Sequence, residues 1–152
     1  MGKRGWFFWI IGGALVWALW GPGSHPAAAQ VREGNSGRGG ETLEIKNLLD
    51  RSRTTAIDFS SPYCPPCVRL APLLEQLAAR LPEVAFVKVN INRREVQGID
   101  WKSPLAQQYR IRSVPYFMIF DPQGKLVAQG MEAWKTIEGW LQKTGVGQEG
   151  GK

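Results

Sequence analysis

The chain is 152 residues long, about one domain's worth of sequence, and its 43% hydrophobic content is too high for a wholly disordered chain. Its formal charge of +6, from 19 basic and 13 acidic residues, is too mild for the basic stripe of a nucleic-acid binder and shrinks further once Lys3 and Arg4 are set aside. Two cysteines cannot staple a disulfide scaffold, and the one histidine, His25, lies outside the expected domain, so imidazole chemistry is excluded there.

Residues 1–29 read as a secretory signal. Lys3 and Arg4 form a positive start, Trp6 to Trp20 is an uncharged apolar run, and Gly21-Pro22-Gly23 breaks it before the cleavage pattern Ala27-Ala28-Ala29. Cleavage there makes Gln30 the new N-terminus. The alternative is an uncleaved anchor in the inner membrane, although the apolar run reaches only about 22 Å as a helix against a hydrocarbon core of roughly 30 Å. On either reading Lys3 and Arg4 hold the start in the cytoplasm, and the remainder is exported to a periplasm or other extracytoplasmic space where disulfide chemistry is live. Any membrane contact is then through this segment alone.

Residues 30–40 are glycine-rich without apolar periodicity and are expected to be a flexible tether. A single domain is expected over residues 41–145, with 146–152 as a disordered tail. Glu41 to Arg51 suggests a short amphipathic helix through Leu43, Leu48 and Leu49. Thr54 to Phe59 is an apolar, β-rich strand. Pro65 to Arg80 reads as a helix with Val68, Leu70, Leu73, Leu74 and Leu77 on its apolar face, opened by prolines and kinked at Pro72. Val84 to Ile91 is a second strand. Ser103-Pro104 starts a short helix to Tyr109. Tyr116 to Phe120, the turn Asp121-Pro122-Gln123-Gly124 and Lys125 to Gln129 form a hairpin, and Ala133 to Lys143 is a closing helix ending at Gly145. The order implies an α/β fold with parallel early strands and an antiparallel hairpin at one edge.

Cys64-Pro65-Pro66-Cys67 stands at a strand-to-helix junction, which puts Cys64 at a helix N-terminus where free N–H groups and the macrodipole favour a thiolate. Cys67, one turn in, is expected to be the more buried and close enough to resolve a mixed disulfide. A zinc site needs two further ligands that the domain does not offer, so no metal is expected. A purely structural disulfide over so short a loop contributes little stability.

The segments AIDFSSPYCPPCVRLAPLLEQLA, FVKVNIN and RSVPYFMIFDPQGKLV make the chain similar to thioredoxin over nearly all of Glu41 to Lys143. The resemblance implies a thioredoxin fold, a central mixed four-stranded sheet flanked by helices, and a redox disulfide between Cys64 (nucleophile) and Cys67 (resolving). It implies that Asp58 is a buried acid that takes the proton of Cys67 through water, that Lys88 neighbours this acid and tunes it, and that Val114-Pro115 is a cis-proline segment facing the disulfide. Gly130 matches a glycine of the substrate groove, to which Tyr63, Pro65 and Pro66 also belong. For Asp58 and Lys88 a solvent-facing strand position is the alternative. No cofactor is implied.

The sequence departs from the family where tryptophans usually stand just before the first cysteine and near the start of that loop: Tyr63 and Ser60 stand there. Pro65 replaces the common glycine and removes an N–H from the helix start. Arg93 to Asp100 resembles an insertion, read as a solvated loop. Together these features point to an exported thiol-disulfide oxidoreductase, a monomer that reduces protein disulfides and draws electrons from a membrane donor. A disulfide oxidant or isomerase, and a non-catalytic peptide-binding module on the same scaffold, are the alternatives.

Overall fold

The computed structural model describes residues 30–147; the expected signal and all but the start of the expected tail lie outside them. Five strands, β1 (Arg32–Glu33), β2 (Thr54–Ser60), β3 (Val84–Asn90), β4 (Tyr116–Phe120) and β5 (Leu126–Gln129), form one sheet in the order β1-β3-β2-β4-β5. β3 is parallel to both β1 and β2, while β4 is antiparallel to β2 and to β5. Among the described residues the helices are α1 (Pro65–Arg80), α2 (Pro104–Gln108) and α3 (Met131–Thr144), with one 3₁₀ turn at Ile45–Leu48.

Successive side chains of a strand point to opposite faces, and β2 sorts its residues accordingly. Ala56 belongs to a core with Leu70, Leu74 and Leu77 of α1, Phe86 of β3, Phe117 and Ile119 of β4, and Ile137 of α3. Ile57 and Phe59 face the other way, into a core with Ile45, Leu48, Val87, Leu105 and Ile111. Asp58 and Ser60 therefore share the α1 face with Ala56, and the apolar core gives way to polar groups toward the C-terminal end of β2. On β5, by contrast, Leu126 and Val127 are exposed at the sheet's margin.

The sheet has five strands where four were expected, because the segment read as a tether supplies β1. Arg32 and Glu33 pair with Val87 and Lys88 through the backbone. The strand is then fastened by Gly34 N–H to the Lys88 carbonyl (2.7 Å) and by Asn35, whose side chain donates to the Asn90 carbonyl (2.8 Å) and accepts the Asn90 N–H (2.9 Å). A Cβ at Gly34 would stand within about 3 Å of Val87, Leu48 and Val89, so the close approach of this strand requires a glycine.

The amphipathic helix expected over Glu41 to Arg51 is reduced to the one 3₁₀ turn. Side chains from the α2 region take its backbone groups: the Tyr109 hydroxyl accepts Ile45 N–H and donates to the Leu43 carbonyl, and Gln108 bonds both the N–H and the carbonyl of Leu43. α1 runs in one piece through Pro72, which lies on its exposed side, but Val68, expected on the apolar face, is exposed. α3 starts at Met131 and ends at Gly145, whose φ of 69° permits the left-handed cap. Val146, placed by the sequence in the tail, is buried, and its N–H donates to the Leu141 carbonyl.

Candidate active site

Cys64 is the N-cap of α1, with extended backbone (φ −104°, ψ 105°), and forms a disulfide with Cys67, their Cα atoms 5.3 Å apart. The Cys67 N–H donates to Cys64 Sγ at 3.2 Å, and Val68 N–H to the Cys64 carbonyl at 3.1 Å. Pro65 and Pro66 carry no N–H, so the first turn aims a single amide at the sulfur. Cys67 is not the more buried partner as expected: Cys64 is 2% and Cys67 5% exposed. The cover over Cys64 comes from a distant segment, the Val114 carbonyl lying 3.5 Å from Cys64 Sγ.

The loop before Cys64 is held by side chains. Ser61 accepts the Cys64 N–H at its carbonyl and the Tyr63 N–H at its hydroxyl, and the hydroxyl donates to Asn92 Oδ1 at 2.6 Å. Asn92 also donates to the Gly98 carbonyl and accepts the Asp100 N–H. Arg93 meets Asp100 with two bonds, at 2.7 and 3.1 Å, holding the buried Asp100 carboxyl below the usual carboxylate range. Residues 93–100 are thus tied to the active-site loop, while Arg94, Glu95, Gln97 and Gly98 are exposed, as expected of a solvated loop. Gln97 reaches the exposed Tyr63, whose hydroxyl donates to it at 3.1 Å.

On the other side of the disulfide lies a groove of about 510 Å³ lined by Pro66, Pro115, Tyr116, Gly130, Met131 and Trp134. The Val114–Pro115 peptide bond is cis, and Gly130 caps α3 with φ 57° and ψ −125°, its N–H donating to the Phe117 carbonyl. Pro65 is exposed beside Pro66 at the start of α1.

Behind the disulfide a second cavity, of about 300 Å³, is lined by Glu33, Ser60, Ser61, Cys67, Val68 and Lys88 among others. Asp58 sits deeper on the same face, 5% exposed. Burial pushes its carboxyl up to about 7; the Lys88 ammonium opposes this shift and the Glu33 carboxylate adds to it. Asp58 Oδ1 and Ser60 Oγ are buried without a hydrogen-bond partner among the described residues. Lys88 stands directly opposite Asp58 in register, and its Nζ is 3.3 Å from Glu33 Oε1. Among the described residues no cluster of three or more His, Cys, Asp or Glu is placed to hold a metal ion.

The structure therefore sets Val114 against the Cys64–Cys67 disulfide and gathers Pro66, Pro115 and Gly130 in one groove, with Lys88 in the cavity beside Cys67, Asp58 deeper on that face, and Tyr63 exposed next to Cys64. Sequence reading missed Glu33, Ser61, Asn92 and Met131. Asn92 follows the second strand's apolar run directly, but only the fold brings it to Ser61. Glu33 gave no signal, lying in a stretch without periodicity.

The family model for thioredoxin matches residues 44–143. A thioredoxin-like protein of Fusarium culmorum is 39% identical over 93 residues, covering 59% of this chain and 69% of its own length. A thioredoxin of Chlamydia trachomatis is 42% identical, covering 60% of this chain and 82% of its own length. Among solved structures, thioredoxin from Trypanosoma brucei brucei shares the fold at a TM-score of 0.54 with 18% identity, over 78% of this chain and 94% of its own.

Proposed function

The chain belongs to the thioredoxin family and is a thiol-disulfide oxidoreductase, and from that premise we propose that it works outside the cytoplasm as a reductant of protein disulfides. The observation that carries the reading is the Cys64–Cys67 disulfide at the start of α1 with the buried Asp58 carboxyl behind it. In the reduced protein, Cys64 thiolate attacks one sulfur of a substrate disulfide, forming a mixed disulfide and expelling the other substrate sulfur as a thiolate that takes up a proton. Asp58 accepts the Cys67 proton through water in the cavity, and the Cys67 thiolate attacks Cys64. The Cys64–Cys67 bond forms, the mixed disulfide breaks, and the second substrate sulfur leaves to be protonated in turn. Two electrons pass from protein to substrate.

The start of α1 supports the reducing direction. Strong disulfide oxidants owe their potential to a stabilised reduced form, and here Pro65 and Pro66 withhold two of the amides that would stabilise the Cys64 thiolate. Substrate peptide lies along the Val114–Pro115 segment in the groove of Pro66, Gly130 and Met131. Lys3, Arg4, the apolar run Trp6 to Trp20 and Ala27-Ala28-Ala29 support export. A reductant in an oxidising space needs re-reduction, so the partner is a membrane electron donor.

Insulin-disulfide reduction tests the catalytic reading: Cys64→Ser should abolish it, and equal rates would overturn it. Cys67→Ser should retain substrates covalently on Cys64 and name them. A reduction potential near roughly −270 mV supports the direction, and one near roughly −120 mV makes the protein an oxidant. Mass spectrometry of the exported protein, beginning at Gln30 or at Met1, decides between signal and anchor.

A further inference from the structure

Three adjacent strands set Glu33, Lys88 and Asp58 in one row: Glu33 opposite Lys88, and Lys88 opposite Asp58. All three share the α1 face, and at the usual spacing of about 4.8 Å between strands the outer two are roughly 10 Å apart. Lys88 Nζ lies 3.3 Å from Glu33 Oε1, whereas Asp58 Oδ1 has no hydrogen-bond partner among the described residues. Glu33 and Lys88 line the cavity that also contains Cys67. We propose that Glu33 is a positioning residue for the resolution step, engaging the Lys88 ammonium at the cavity mouth and holding it off Asp58. This rests on the proton-acceptor reading of Asp58 given above.

An ammonium drawn in against a buried carboxylate makes it a weaker base; one engaged by a second carboxylate loses much of that effect. Among the described residues, the charged groups around Asp58 are named by element. β3 presents Lys88 and β1 presents Glu33, while β4 sets the apolar Phe117 opposite Asp58. α1 lends Cys67 to the cavity and carries Glu75, which accepts the Val31 N–H at the start of β1. Arg32 projects to the other face, where its guanidinium reaches the Leu48 carbonyl. Removing the Glu33 charge frees Lys88 to act on Asp58 alone, and the base for Cys67 weakens.

The experiment follows Asp58 itself, by carboxyl-carbon NMR titration of the oxidised protein, in wild type, Glu33→Gln, Glu33→Asp and Lys88→Met. Glu33→Gln should lower the Asp58 midpoint, by about half a unit to one unit, and slow release of substrate from a preformed mixed disulfide by roughly threefold at neutral pH. Glu33→Asp, which keeps the charge, should hold both near wild type. In a Lys88→Met background, removal of Glu33 should move the midpoint far less. An Asp58 midpoint unmoved in a Glu33→Gln protein whose thermal unfolding matches wild type overturns the proposal. Asp58→Asn separates the two levels: if it leaves release unchanged, the acceptor reading and this inference fall together. If it slows release while Glu33→Gln changes neither quantity, only the role of Glu33 falls.

Discussion

The Cys67 amide donates to Cys64 Sγ across 3.2 Å, and it is the first N–H of α1 able to do so, because prolines occupy the two positions before it. Pro65→Ala restores one amide to the helix start. A restored terminal amide and its dipole are worth about 0.3–1 kcal/mol to an adjacent anion, a few tenths of a pKa unit. The Cys64 pKa, followed by thiolate ultraviolet absorbance, should fall by that amount, and the reduction potential should become more oxidising by on the order of 10 mV. A Cys64 pKa that stays put or rises would show that the N–H count at this terminus does not control the thiolate.

Asp58 makes folding depend on pH in a defined direction. Its folded value, about 7, is above the ordinary 3.8, so between the two the native state holds a proton that the unfolded state has released. Stability of the oxidised protein should therefore fall as pH rises from about 4 to about 7 and level off above, by up to about 4 kcal/mol. Asp58→Asn should remove this slope and be the more stable protein at pH 8. Denaturant unfolding at several pH values checks it; a parallel slope in the variant would place the dependence elsewhere.

Asn92 joins the loop of Ser61 to residues 98–100 through its buried amide. Asn92→Ala leaves the Ser61 hydroxyl and the Gly98 carbonyl without that partner, at a cost of about 1–3 kcal/mol. Unfolding should shift accordingly, and limited proteolysis should begin within residues 93–100. Wild-type resistance to cleavage there would mean that Arg93 and Asp100 suffice to hold the loop.

Gly130 has φ 57° and ψ −125°, and a Cβ on it would meet Tyr116 Cε2 at 3.3 Å. Gly130→Ala should destabilise by about 1–3 kcal/mol from backbone strain. Because Tyr116 lines the groove, KM for protein disulfides should rise while turnover of a small-molecule disulfide is largely kept. Equal losses with both substrates would instead assign Gly130 to the scaffold alone.

β2, β3 and β4 were legible because each is a continuous run of β-forming residues long enough to bury one or both faces, and the cysteine motif fell where such a run, β2, leads within a few residues into a proline-opened helix. β1 was not: two charged residues have no face to bury, and they enter the sheet by backbone bonds that no side chain announces. The 3₁₀ turn was misread for a related reason, since Leu43, Leu48 and Leu49 have helical spacing but Tyr109 and Gln108, far along the chain, claim the backbone bonds a helix would need. Cys64 is covered by Val114 in the same manner. What local periodicity carries was readable; what one segment does to another's polar groups was not.

The two margins of the sheet differ in what they offer a neighbour. β1 ends it with two charged residues, one of them engaged with Lys88, whereas β5 ends it with four residues on which Leu126 and Val127 are exposed. An open strand edge with apolar side chains is a template for pairing with another chain. Of the two margins, β5 is therefore the one that presents apolar side chains, and β4 separates it from the row of Glu33, Lys88 and Asp58.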